Sequence, residues 1–204
     1  MSATRDERSV NPPVVDLAQS LRIQAHANAL ANLRLHAAMA PLSREELQAP
    51  RTSFFPSLMA TLNHILAVDG YYVAALAGDP DPEAAWTRFR PAIDLAPLVA
   101  AQRASDLRLL ALCGGLDAVD CNRIVELPRG GGRIQRDRAV HVLAHLFMHQ
   151  THHRGQVHAM LAGTSVKPPQ LDEFLMPSEA HLREAEMMAF AWDEREVYGS
   201  LPGP

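Results

Sequence analysis

Cysteine is almost missing from this chain: Cys113 and Cys121 are the only two among 204 residues. A disulfide framework is excluded, and so is a Cys-x-x-Cys metal or redox pair. Positive charge is not in excess either. The formal net charge is −4, and no Lys/Arg-rich run is flanked by stacking aromatics, so the chain does not read as a nucleic-acid binder. Long apolar runs are absent as well. The best candidate, ILAVDGYYVAALAG, is broken by Asp69, which leaves nothing of transmembrane length. The opening residues, MSATRDERSVNPP, have no apolar signal core, and a cytoplasmic protein is the expectation. Hydrophobic residues at 48% and charged ones at 21% then describe an ordinary globular chain, expected to form one domain over residues 15–204 behind a disordered tail at 1–14.

The pattern along the chain is helical. Residues from Asp16 to about Ala40 are rich in Ala, Leu, Gln and Arg, with Asp16 as N-cap and Pro41 as stop. A short turn and loop lead to a second long helix over about 57–77, ended by the breaker cluster GDPDP. Residues 80–95 read as connection with a helical turn, and a third helix should run from near Pro97 to Gly114-Gly115. Arg123 to Leu127, then PRGGG, then Arg133 to Gln135 predicts a small hairpin whose glycines supply positive φ angles. A fourth helix follows over about 137–162, then an extended loop, then a terminal helix over Glu179–Val197 capped by Ser178. The fold class is all-α: a four-helix bundle with a hairpin before its last helix and an additional C-terminal helix.

Histidine is what the chain has in plenty. Six of its ten histidines lie between His141 and His158. At about 100° per residue, His149 and His153 fall inside the apolar stripe of Val142, Leu146, Val157 and Met160. His145 and His152 lie on its margin, His141 further out, and Arg154 points away, where a surface or interhelical ion pair is expected. Two imidazoles one turn apart in an apolar interior leave polar atoms unsatisfied, at about 1–3 kcal/mol each; a metal ion removes that cost for both. Catalytic metal sites usually have three protein ligands and one open position. His64, inside the apolar stripe of the second helix, fits as the third ligand, although taken alone it reads first as a hydrogen-bonded core histidine. His26 and His36 are too far apart in rotation to share a site, and Tyr71 and Tyr72 read as core residues.

The run HQTHHRGQV at 149–157, followed by Gly163 and a PPQLDEF loop, resembles the DinB family of helix-bundle proteins, as does Asn63-His64-Ile65 ahead of Tyr71-Tyr72. The likeness runs from about residue 16 to residue 175. It implies an up-down-down-up four-helix bundle, a homodimer, and one divalent metal held by His64, His149 and His153. It also implies that Gly155 lets another helix approach closely and that Gln156 orients a ligand or bound water. Relatives include thiol transferases that use bacillithiol or mycothiol. The expected function is a metal-dependent transferase, thiol to electrophile, or a hydrolase, with a low-molecular-weight thiol as candidate partner and zinc or nickel as the ion. The alternative is a non-enzymatic, metal-stabilised dimeric stress or binding protein. An open coordination position separates the two, and no Asp or Glu near the histidines on either core stripe reads as a fourth ligand.

Overall fold

The structure, a computed structural model, describes residues 16–199; the tail expected at 1–14 lies outside the described residues. Four long helices form the body: α1 (Leu17–Met39), α3 (Leu58–Ala77), α5 (Leu95–Gly114) and α7 (Ala139–Leu161). Short helices α2 (Arg44–Gln48), α4 (Ala84–Thr87) and α6 (Ala118–Asn122) lie in the connections. The caps are local chemistry. Asp16 accepts from the Gln19 N–H at 2.7 Å, Ser57 from the Ala60 N–H at 3.1 Å, and Gly78 ends α3 in the left-handed region at φ 77°. None of these helices is long and apolar enough to cross a membrane.

Each long helix packs chiefly on two others, in the cyclic order α1, α5, α3, α7. The apolar core falls into two main ends. One gathers Leu21, Tyr72, Leu76, Leu109, Leu143 and Leu146; the other gathers Leu35, Leu58, Ile65, Leu98, Val157 and Leu161. α1 and α7 therefore run from the first end to the second while α3 and α5 run the opposite way, the sense of an up-down-down-up order. The hairpin of β1 (Ile124–Pro128) and β2 (Ile134–Arg138) pairs antiparallel with Leu127 opposite Gln135. Gly130, Gly131 and Gly132 all take positive φ at its tip, and Val125 and Leu127 turn inward to the core.

A buried polar layer separates the two apolar ends. Asp106 of α5 accepts from Asn32 at 3.0 and 3.1 Å, from Gln102 at 3.1 Å and from Asn28 at 3.4 Å. Asp69 of α3 accepts on Oδ2 from Gln102 at 2.7 Å and from Gln150 of α7. Arg154 does not point away from the bundle. It is 9% exposed, and its Nη1 donates to Asn28, to Asn32 at 3.2 Å and to Gln150 at 3.1 Å. α7 touches both α3 and α1, so its buried arc is wider than one apolar stripe and takes in Arg154.

The expected single terminal helix is also corrected. A 3-10 turn (Pro177–Leu182), with Ser178 inside it rather than capping a helix, leads to α8 (Glu184–Phe190) and α9 (Glu194–Tyr198). Ala191 breaks the path at φ 54°, and Asp193 recaps it by accepting from the Arg195 and Glu196 N–H groups. The cause is Arg183. Fully buried, it donates to the Glu173 and Met176 carbonyls, pairs with Glu194 and stacks on Tyr198, which a straight helix could not satisfy. Arg34 of α1 fastens the same segment through Glu186 and Glu173, both at 2.7 Å.

Burial pushes the Asp69 carboxyl up to about 8 and Asp106 up to about 7, while Arg154, brought down to about 10, stays a cation at neutral pH. Asp106 has more donors, whereas Asp69 Oδ1 has no partner among the described residues, so the retained proton belongs on Asp69. The folded chain keeps that proton where the unfolded chain, with its ordinary value of 3.8, has lost it; stability therefore falls as pH rises towards 8. Buried His36, lowered to about 4 by burial and then by Arg154, acts in the opposite sense below its ordinary 6.5. The clean window is thus about pH 7–8. Urea unfolding across it should show declining stability, at up to about 1.4 kcal/mol per pH unit, and Asp69→Asn should flatten the decline. Equal slopes in both proteins would contradict the assignment.

Candidate metal centre

The α3–α7 seam brings the three expected histidines together. His64 projects from α3, and His149 and His153 from successive turns of α7. Their ring centroids are 5.0 Å apart for His64–His149, 4.6 Å for His64–His153 and 4.4 Å for His149–His153. One ring nitrogen from each lies within 4.8 Å of the other two. His64 Nε2 and His149 Nε2 face each other at 3.0 Å. Two nitrogens bound at 2.0–2.1 Å to one ion stand about 3.3 Å apart in tetrahedral geometry and about 2.9 Å apart at a right angle. The observed spacing falls in that range, and the donor set suits a borderline divalent ion.

The supporting contacts favour ligation. His153 Nδ1 lies 2.8 Å from Gln156 Oε1, a pure acceptor there, so Nδ1 carries the hydrogen and Nε2 keeps its lone pair. The Gln156 amide is held in that orientation by donating to His152 Nε2 at 3.2 Å. His152 and His145 are exposed and outside the cluster, as the helical spacing predicts. His149 Nδ1 is buried without a partner among the described residues. Burial, followed by the charge of neighbouring imidazoles, lowers His64 to about 4 and His149 to about 3; burial also lowers His153. All three are neutral at pH 7, the form a metal ligand needs.

Several residues around the centre escape any reading of periodicity, because loops and the four-residue helix α4 deliver them. The Phe55 ring packs over His64 at 4.3 Å and reaches His153 at 5.7 Å. Trp86 meets His64 edge-on at 6.3 Å. A cavity of about 440 Å³ opens beside His149, lined by Val68, Tyr71, Tyr72, Trp86, Arg129 and His145. Arg129, at the hairpin turn, donates to the Tyr72 hydroxyl at 3.1 Å and lies over both tyrosine rings at 5.5–5.6 Å. Tyr71 donates to the Pro128 carbonyl at 2.5 Å, which fixes the hairpin to α3. Gly155 does not serve close helix approach: it is exposed, and no heavy atom lies within 4 Å of where its Cβ would stand. His26, Cys113 and Cys121 take no part, the two cysteines being buried core thiols.

A family model described as the DinB family matches residues 20–187, well over half of the chain. The chain belongs to the DinB family. No curated protein sequence matches it.

His152 and His153 are chemically identical neighbours, and only the second points into the cluster. His153→Ala should reduce bound zinc or nickel to a small fraction of one equivalent, whereas His152→Ala should keep most of it; elemental analysis after dialysis reads the contrast. Equal loss in both variants would show that the ligand set is wrong.

Proposed function

We propose that His64, His149 and His153 hold one divalent ion, zinc or nickel, with an open coordination position facing the cavity beside His149. On that basis the protein is a cytoplasmic metal-dependent transferase that joins a low-molecular-weight thiol to an electrophile, or a hydrolase. The observation that carries the reading is the cluster itself: three neutral imidazoles converge next to a cavity, and no fourth side chain joins them among the described residues. A divalent ion on neutral ligands keeps its full charge and lowers the pKa of a bound water or thiol.

The chain's own residues supply the rest. Arg129 offers a cation in the cavity wall for a carboxylate of the incoming thiol, and its contact with Tyr72 holds the guanidinium in place. His145, in the same wall with its ring 6.3 Å from that of His149, is a base for the proton that the thiol or water gives up. Phe55 and Trp86 cover His64 and keep water from one side of the centre. Gln156 holds His153 in a single tautomer.

The homodimer and the absence of nucleic-acid or membrane partners belong to the same proposal. Part of the C-terminal apolar surface is buried in the chain's own bundle and is not available to a subunit seam: Met187 and Tyr198 pack against Leu30, Ala31 and Phe174. A monomer mass by light scattering at micromolar concentration would remove the dimer from the account.

The functional test is a screen of metal-loaded protein with thiols against alkyl and activated-ester electrophiles. Turnover of a carboxylate-bearing thiol is expected, and Arg129→Ala should raise its KM about tenfold to a hundredfold with little change in kcat. If the ion raises the melting temperature while no thiol or ester is turned over, the non-enzymatic reading stands instead.

A further inference from the structure

A second cavity, of about 450 Å³, lies on the opposite flank of α7, between that helix, α1 and the loop at 170–175. It shares no lining residue with the cavity beside His149. Ala27, Ala31, Phe147, Leu171, Phe174 and Leu175 make most of its wall apolar. Among its polar residues, which include Asn28, Thr151, His158 and Gln170, Arg154 carries the fixed positive charge. Its Nη1 is satisfied by three amide oxygens, but Nε and Nη2 donate to nothing among the described residues. No carboxylate of the described residues reaches the guanidinium at ion-pair distance. The cavity's one acid, Asp172, is instead bonded to Gln170.

Arg154 is nine-tenths buried, but its Nε and Nη2, without a protein partner, reach solvent and so present a free side-on fork that an anion can complete in place of water. The Nε and Nη2 pair matches the spacing of two carboxylate oxygens. We propose that this cavity binds a small organic monocarboxylate with an apolar body, its carboxylate received by Nε and Nη2 of Arg154 and its body by the Phe147 and Phe174 wall. The charge around Arg154 selects one negative charge over two. Asp172 stands on the cavity wall and Asp106 lies behind the asparagines that bridge to Arg154, so a phosphate dianion meets two acids and one cation. Gly155 leaves the wall open where a side chain would enter.

Calorimetric titration of the full chain with 4-phenylbutyrate and with octanoate tests this. The uncharged 4-phenylbutyramide and inorganic phosphate serve as comparisons, and metal-loaded and chelated samples are run in parallel. One carboxylate should bind per chain, about tenfold or more tighter than the amide, equally with and without metal, and phosphate should not displace it. Gly155→Leu places a side chain in the cavity from an exposed helical position with room for it. It should abolish carboxylate binding while leaving the metal content at its wild-type value. Any of four results would overturn the proposal: no carboxylate binding, equal affinity for the amide, binding lost on chelation, or binding that survives Gly155→Leu. Displacement by phosphate would show a general anion site and would overturn the stated ligand class.

Discussion

The bond from Gln150 of α7 to Asp69 of α3 is the contact on which the arrangement of the centre depends. Hydrophobic packing alone sets helix rotation loosely, because neighbouring apolar side chains can exchange places in a seam at small cost. A buried amide facing a buried carboxyl has no such latitude: a slip of one residue would leave the Gln150 amide without its carboxyl and Asp69 with Gln102 alone. Gln150 also accepts from Arg154, which in turn reaches Asn28 and Asn32 of α1. α7 is therefore fixed against two helices at one level, and His149, the residue before Gln150, is turned to face His64. The imidazoles are held by polar bonds that do not themselves touch the centre.

The same layer explains why one helix carries two different sites. α7 presents His149 and His153 to α3, Gln150 to the interior, and Arg154 with Thr151 towards α1 and the 170–175 loop. The apolar ends, with Leu143 and Leu146 on one side and Val157 and Leu161 on the other, supply the burial. The middle supplies specificity and chemistry. Neutral imidazoles and a retained carboxyl proton keep the layer from gathering uncompensated charge.

Much of this was legible in the sequence, for identifiable reasons. Asp16 is a cap whose side chain bonds locally, and the Gly130–Gly132 run announces its own turn. His149 and His153 were found because spacing of four residues on an apolar stripe is a local signal, and His64 because a second stripe carried one imidazole. A single apolar stripe does not define the inside of α7, because both α3 and α1 flank it and bury Arg154. The open surroundings of Gly155 do not support a packing role. The break at Ala191 was hidden because Arg183 is satisfied by carbonyls and an acid about ten residues away along the chain in either direction. Phe55 and Arg129 come from loops and Trp86 from the four-residue helix α4, where no periodicity marks direction.

The central claim is that three imidazoles, and no fourth side chain, hold one ion. X-ray absorption at the metal edge of the loaded protein measures this directly. The account predicts three imidazole nitrogens at about 2.0–2.2 Å, with a further light-atom neighbour that changes when a thiol is added and is replaced by sulfur. A shell with fewer than three imidazoles, or one closed by a protein carboxylate or thiolate that added thiol leaves unchanged, would contradict it.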